Sequence, residues 1–132
     1  MKTTVIVNPR VGNGRTGKIW PQIESALINS IGPFQTKQTS CRGDAIHLTR
    51  QVLDEGTGRI VAIGGDGHLN EVLNGFIEND VPVNPEARLS FVMTGTGCDF
   101  QRSLDISSKW QSAAEKLKFA QVRKIDVGKV PI

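Results

Sequence analysis

The chain has 132 residues and a formal charge of +3 at pH 7, which is about the size of a single domain. Hydrophobic residues make up 38% of it and charged residues 22%, so it can form a core and is not a disordered tail. The small net charge does not require nucleic acid, and we expect no nucleic-acid partner. The sequence has no apolar run of about 18 residues and opens without a leader pattern, so we expect a cytoplasmic protein.

The first half of the chain alternates strand patterns with helix patterns. A short β-branched run over residues 3–7 predicts a buried strand, which the turn at 8–9 ends. Apolar residues recur at three- and four-residue steps over 18–31, which is the spacing of a helix that covers a sheet. A strand over 34–39 and a helix over 43–55 are predicted next.

The second half is predicted to continue the alternation. Its expected elements are a strand over 59–63, a helix over 69–76, a loop over 78–88, a strand over 89–93, helices over 99–104 and 110–117, and a strand over 122–127. Strands that alternate with helices require crossover connections, which make the sheet mostly parallel. We therefore predict one doubly wound α/β domain over 1–132, with helices on both faces of the sheet.

Unusual residues cluster after the predicted strands. Glycines, arginines and hydroxyl side chains fill the segments 8–15, 39–43, 64–67 and 95–97. In an open parallel sheet, ligands bind beyond the carboxyl ends of the strands. Glycine allows the backbone to approach a ligand closely, and free amides at a helix start attract anions. The pattern indicates a phosphate site at this edge, with tight turns that hold no ligand as the alternative. Neither the Walker phosphate loop nor the dinucleotide fingerprint is present.

Three acidic residues are candidates for a metal site. Asp66 lies within the glycine run, where a carboxylate would repel phosphate unless it caps its own helix or a divalent cation lies between them. Both alternatives stay open. Asp99 and Asp126 fall at predicted strand and loop junctions, so a shared Mg²⁺ site with Asp66 is one hypothesis, although Asp126 could instead face solvent within a strand.

The predicted helix after the glycine run begins with polar residues whose roles remain open. Asn70 could contact a ligand or face water, and Glu71 could complement the start of its helix without a further role. His68 has no second histidine near it in the sequence. We therefore expect His68 to be a partly exposed surface residue.

Three sequence blocks together resemble the catalytic domain of the diacylglycerol kinase family. The blocks cover 7–15, 64–75 and 95–104, lie in the family's order and span most of the chain. The chain departs from the family pattern at His68, where threonine is usual, and at Cys98, where asparagine is usual. The resemblance implies the α/β fold that this family shares with NAD kinases. The pair Asn70 and Glu71, directly after the glycine run, favours the lipid kinases over the NAD kinases.

The resemblance implies phosphorylation of a lipid hydroxyl, on diacylglycerol or a related lipid, with ATP and Mg²⁺. It implies that the loop from Asn8 contacts phosphates, that 64–67 form the floor of the phosphate site, and that Glu71 and Thr96 line the ATP pocket. The expected nucleotide-contacting residues are Asn8, Pro9, Arg10, Gly12, Gly14, Arg15, Thr39, Gly64, Gly65, Asp66, Gly67, Asn70, Glu71, Gly95, Thr96 and Gly97.

The resemblance also implies a second, β-rich domain that follows an α/β domain of this kind and carries the lipid and the general base. Residues 1–132 are then expected to be a nucleotide-binding fragment that binds ATP weakly or not measurably and lacks turnover alone. Lipid binding and peripheral contact with the inner face of the membrane are expectations for the full-length protein, and the oligomeric state stays open. The alternatives are a soluble kinase of the NAD kinase type and a non-catalytic nucleotide- or lipid-sensing module.

Overall fold

The computed structural model describes residues 2–94 and 110–117. Its elements in chain order are β1 (Thr3–Val7), α1 (Arg15–Ile31), β2 (Gln35–Gln38), α2 (Asp44–Asp54), β3 (Arg59–Gly64), α3 (Asp66–Gly75), β4 (Ile77–Glu78), β5 (Val81–Pro82), β6 (Arg88–Met93) and α4 (Trp110–Lys116). Strands and helices alternate over most of this length, as the hydrophobic patterns predict.

The main sheet has four strands in the order β2-β1-β3-β6, and all neighbouring pairs are parallel. Val7, at the end of β1, pairs with Gln38 of β2 on one side and with Ile63 of β3 on the other. Gly64 pairs with Met93 of β6. The carboxyl ends of the four strands therefore form one edge, where the segments after β1, β2 and β3 begin.

The sheet is covered on both faces, which confirms the predicted α/β fold. Because successive side chains of a strand point to opposite faces, Val5 and Val7 belong to a core cluster with residues of α1 and α4. Ile6 belongs to the second cluster, which contains residues of α2 and α3. All three side chains are fully buried, so β1 lies at the centre of the domain.

Helices α2 and α3 pack closely at Gly75. A Cβ atom on Gly75 would lie 2.5 Å from Cβ of Thr49 and 2.8 Å from the carbonyl oxygen of Ile46. Nearby, Nη2 of Arg50 on α2 donates to the carbonyl oxygen of Ile77, just beyond the end of α3, at 2.9 Å. The absence of a side chain at Gly75 therefore sets the distance between the two helices.

The structure differs from the sequence-based prediction at a helix start and in a loop. Helix α1 begins at Arg15, not at 18. The prediction missed this first turn because it is polar and carries no apolar residue that would extend the periodic pattern. The predicted loop over 78–88 is wrong in part, since β4 and β5 form a short antiparallel hairpin. Asn79 and Asp80 connect them with φ values of 52° and 64°, as a two-residue hairpin turn requires.

The predicted helix over 110–117 corresponds to α4, whereas the predicted helix over 99–104 and strand over 122–127 lie outside the described residues. Among the described helices, none combines the length and the hydropathy that crossing a membrane would need.

Candidate functional site

A cleft of about 250 Å³ opens at the carboxyl edge of the sheet. It lies between the segments that follow β1 and β2 and the start of α3. Its lining residues are Asn8, Arg10, Thr39, Ser40, Cys41, Arg42, Gly67, His68 and Glu71. Most of these side chains are polar or charged, so the cleft is suited to a polar ligand.

The turn after β1 is closed by its own backbone. Gly14 N donates to the carbonyl oxygen of Arg10 and Gly17 N to that of Pro9, both at 2.9 Å. The side chain of Asn8 accepts a hydrogen bond from the amide of Arg10 at 3.0 Å. Gly12 and Gly14 have φ values of 71° and 86°, which favour glycine. The compact turn leaves the side chain of Arg10 exposed at the cleft.

The segment after β2, which forms one side of the cleft, is held in place by the carboxylate of Asp44. Asp44 accepts hydrogen bonds from the amides of Ser40 and Cys41 at 2.7 and 3.1 Å and from the Cys41 thiol at 3.3 Å. The hydrogen bonds from Ser40 and then Cys41 lower the pKa of Asp44, and the bond to Asp44 raises the pKa of the Cys41 thiol. Thr39 is buried beside them, and its amide donates to Val7 O at 3.0 Å.

The glycine run after β3 leads directly into α3. Gly65 caps the helix in an extended conformation, and Asp66 is the first helical residue. The first amides of any helix lack partners within it and carry a partial positive charge. Gly67 is exposed and lines the cleft, and a Cβ there would meet no atom of the described residues within 4 Å. Within this part of the chain, the helix start therefore presents its backbone to the cleft.

His68 is buried, so the expectation of a partly exposed surface residue is wrong. Only 6% of it is exposed, and its Nε2 lies 2.9 Å from the carbonyl oxygen of Ile6. Because a carbonyl can only accept, Nε2 carries the proton and donates. Burial lowers the pKa of His68. A Cβ on Gly64 would lie only 2.8 to 2.9 Å from Cβ, Cγ and Cδ2 of His68. The missing side chain at Gly64 therefore makes room for the imidazole.

Glu71 links two helices at the cleft. Its Oε1 accepts a hydrogen bond from the amide of Gly43 at 3.0 Å, so it complements the start of α2, not that of its own helix. Asn70 is exposed and is not among the residues that line the cleft. Its carbonyl oxygen accepts from the side chain of Asn74 at 2.9 Å.

The proposed metal site lies only partly within the described residues. Asp66 follows the cap position, which Gly65 occupies, so an N-cap role for its carboxylate is wrong. Asp99 and Asp126 lie outside the described residues, and the shared Mg²⁺ site stays a prediction. Within residues 2–94 and 110–117, there is no group of three or more histidine, cysteine, aspartate or glutamate side chains that could hold a metal ion.

The structure brings most of the predicted site residues to one edge of the sheet. The predicted residues that line the cleft are Asn8, Arg10, Thr39, Gly67 and Glu71. The predicted site residues in the adjoining turn and helix starts are Pro9, Gly12, Gly14, Arg15, Gly65 and Asp66, while Gly64 ends β3 and Asn70 lies within α3. Gly95, Thr96 and Gly97 lie outside the described part of the chain.

The sequence-based site did not include four residues that line the cleft, namely Ser40, Cys41, Arg42 and His68. The signal for the first three was their place directly after the second predicted strand. The start of α3, the guanidinium groups of Arg10 and Arg42 and the carboxylate of Glu71 together suit an anionic ligand that also has a polar organic part.

Comparisons with known proteins agree with this architecture. The family model of the diacylglycerol kinase catalytic domain matches residues 2–130. A diacylglycerol kinase of Bacillus subtilis is 31% identical over 130 residues, which cover 98% of this chain and 42% of the relative. A diacylglycerol kinase of Staphylococcus epidermidis is 30% identical over 129 residues, covering 98% of this chain and 40% of the relative.

Solved structures give the same result. The crystal structure of a diacylglycerol kinase from Bacillus anthracis superimposes with a TM-score of 0.75 at 25% identity, over 89% of this chain and 42% of that one. The chain thus spans about two fifths of the length of these relatives. By its sequence and its fold, the chain belongs to the diacylglycerol kinase catalytic-domain family.

Proposed function

We propose that this chain is the nucleotide-binding part of a lipid kinase, which transfers the γ-phosphate of ATP to a hydroxyl of diacylglycerol or a related lipid. One observation carries the proposal: the turn after β1 and the open helix start at Gly67 meet beside a polar cleft. Membership of the diacylglycerol kinase family supports kinase chemistry.

The phosphates are proposed to bind at the glycine-bearing segments. The first amides of α3 offer donors to phosphate oxygens, and the helix dipole adds positive potential at the same place. The guanidinium groups of Arg10 and Arg15 are exposed on the neighbouring turn and could pair with phosphate oxygens. Backbone donors and a helix dipole of this kind stabilise the charge on a transferred phosphoryl group.

The nucleoside is proposed to occupy the cleft. Its volume of about 250 Å³ is below the usual range of ligand pockets, about 300–1,000 Å³, and therefore suits one part of a nucleotide. The carboxylate of Glu71 and the hydroxyls of Thr39 and Ser40 line it. These groups can accept hydrogen bonds from a base amine or a sugar hydroxyl.

Mg²⁺ is proposed to lie between Asp66 and the phosphates, with Asp99 and Asp126 as further candidate ligands. The donor chemistry fits because Mg²⁺ prefers carboxylate and phosphate oxygens. Asp66 lies at the start of α3, next to the proposed phosphate donors, where a carboxylate without a cation would repel the ligand. When bound, Mg²⁺ would neutralise charge on the transferred group. Asp66 would hold the ion close to the amides of α3.

The lipid side of the reaction is proposed to lie outside residues 1–132. The catalytic domain model covers nearly the whole chain, yet the relatives are more than twice as long. We propose that the remaining length supplies the β-rich domain, the general base, the lipid site and peripheral contact with the membrane. The nucleotide would then lie between the two domains.

The experiment that tests this proposal is a transfer assay with labelled ATP on the full-length protein. Diacylglycerol, sphingosine, ceramide and NAD are offered separately, each with and without Mg²⁺. We expect labelled phosphate on a lipid acceptor, only with Mg²⁺, and no turnover by residues 1–132 alone. Transfer to NAD alone would favour a soluble kinase, and nucleotide binding without transfer would favour a sensing module. Robust lipid phosphorylation by residues 1–132 would overturn the division between two domains.

A further inference from the structure

A pair of threonine side chains joins the turn after β1 to the end of β3. Thr16, the second residue of α1, is 1% exposed, and its hydroxyl donates to Oγ1 of Thr94 at 2.9 Å. Thr94 directly follows β6, and its amide donates to the carbonyl oxygen of Gly64 at 2.9 Å. The connection therefore runs from the start of α1, through Thr94, to the glycine run before α3.

Thr16 also holds the turn through its backbone. Its amide donates to the carbonyl oxygen of Val11 at 3.2 Å, while its side chain reaches the sheet. Neither Thr16 nor Thr94 lines the cleft. The Thr16 hydroxyl is thus placed to fix the turn relative to the sheet without contact with a ligand in the cleft.

We propose that Thr16 is a positioning residue, which acts through Thr94 to set the spacing between the turn of residues 9–14 and the start of α3 at 64–67. This proposal rests on the proposed function and deepens it, because that spacing sets the width of the phosphate site. A ligand whose phosphates bridge both segments depends most strongly on the spacing. The groups proposed to bind the nucleoside, Glu71, Thr39 and Ser40, lie outside both segments, although Arg10 and Gly67 also line the cleft. Substitution of Thr16 therefore affects phosphate-bearing ligands more than a nucleoside.

The first test compares ATP with adenosine by NMR titration of the 132-residue chain at millimolar concentrations, which suits weak binding. Thr16→Val keeps the side-chain shape and removes the donor. We expect it to lower the affinity for ATP about 3- to 10-fold and to lower the affinity for adenosine less. Thr16→Ser keeps the hydroxyl and is expected to bind ATP like the wild type. Equal losses for ATP and adenosine, or an unchanged ATP affinity, would overturn the positioning role.

The second test needs no nucleotide. Hydrogen exchange of the amides of Gly14, Thr16 and Gly17 is measured in the free protein, and Thr16→Val is expected to accelerate it about 3- to 10-fold. Thr49→Val is the matched control, because Thr49 is also fully buried but lies on α2. Unchanged exchange in Thr16→Val, or acceleration in both variants, would exclude the positioning role.

A double variant keeps the proposal testable if Thr16→Val alone folds poorly. Thr16→Val with Thr94→Val removes both polar groups, so no buried hydroxyl is left without its partner. We expect this variant to fold and to lose no more ATP affinity than Thr94→Val alone, because the two residues act as one unit. Additive losses would contradict the proposal. If the wild-type 132-residue chain shows no ATP-induced shifts, the KM for ATP of the full-length protein replaces the titration. Absence of ATP turnover there would count against the proposed function, while the exchange test would still decide the role of Thr16.

Discussion

The imidazole of His68 donates a hydrogen bond to the backbone carbonyl of Ile6 at 2.9 Å. The bond joins the first turn of α3 to the central strand of the sheet. Because His68 is buried and its ring occupies the space above Gly64, it sets the height of the helix start over the strand ends. The amides proposed to bind phosphate lie in that same turn.

We expect His68→Thr, which introduces the residue usual in the family, to lower the free energy of unfolding by about 2–3 kcal/mol. The shorter side chain leaves a cavity and takes away the donor to Ile6. The measurement is urea unfolding at pH 7.5. His47→Thr is the control, because His47 is exposed on α2, and it should change stability by about 0.5 kcal/mol or less. A similar small change for both variants would contradict the structural role of His68.

The stability of the protein is expected to fall as the pH drops below about 6.5, the ordinary pKa of histidine. Desolvation lowers the pKa of His68 in the folded state, so the unfolded chain takes up a proton first. Stability therefore rises with pH between the pKa of His68 in the folded state and its pKa in the unfolded chain. The contribution of neutral His68 to stability is complete above the unfolded-state pKa. Urea unfolding between pH 5 and 7.5 measures this slope. The slope should decrease in His68→Thr and persist in His47→Thr, and an unchanged slope in His68→Thr would contradict this assignment.

Gly75→Ala is expected to lower the free energy of unfolding by about 2–3 kcal/mol or more. The added methyl would lie 2.5 Å from Cβ of Thr49 and 2.8 Å from the Ile46 carbonyl, so α2 and α3 must move apart. Gly67→Ala is the matched control, also in α3, where the methyl meets no atom within 4 Å in the part of the chain that the structure describes. Thermal unfolding should show a large loss only for Gly75→Ala, and equal effects would refute the close packing of the helices.

Gly67→Ala is also expected to weaken ATP binding at least about 10-fold without loss of stability. The alanine methyl would fill the space through which phosphate is proposed to approach the amides of α3. The KM for ATP of the full-length protein is the measurement. Asn29→Ala, on the exposed part of α1, controls for a helix substitution away from the site. An unchanged KM would place the phosphates elsewhere.

Thr49→Val is expected to raise the free energy of unfolding by about 1 kcal/mol. The hydroxyl oxygen of Thr49 is buried and has no hydrogen-bond partner among residues 2–94 and 110–117, and valine has nearly the same shape without the cost of burying a polar group. Thr4→Val is the control, since the Thr4 hydroxyl lies 2.9 Å from that of Thr57 and its removal should destabilise. Urea unfolding measures both. Destabilisation by Thr49→Val would show that its hydroxyl is satisfied in solution.

The sequence predicted the fold well where one physical signal dominates. The buried runs at β1 and β3 contain β-branched residues and end at turn residues, so both strands and the edge that carries the site could be predicted. The position of Thr39 and Gly67 on that edge followed from the rule for parallel sheets.

Other features depend on contacts between distant segments. The burial of His68 requires the Ile6 carbonyl, 62 residues away, and the missing side chain at Gly64, and no local pattern reports either. The contact between Glu71 and the amide of Gly43 also joins distant residues, 28 apart in the sequence. The β4–β5 hairpin was missed because its strands have two residues each, too few for a periodic signal.

The contacts between α2 and α3 have a mechanical consequence. Glu71 binds the start of α2, Gly75 packs against Thr49, and Arg50 reaches the chain just beyond α3. The two helices are thus joined from the start of α2 to the end of α3. A ligand would therefore meet the segment after β2 and the start of α3 at a spacing that these helix contacts hold fixed.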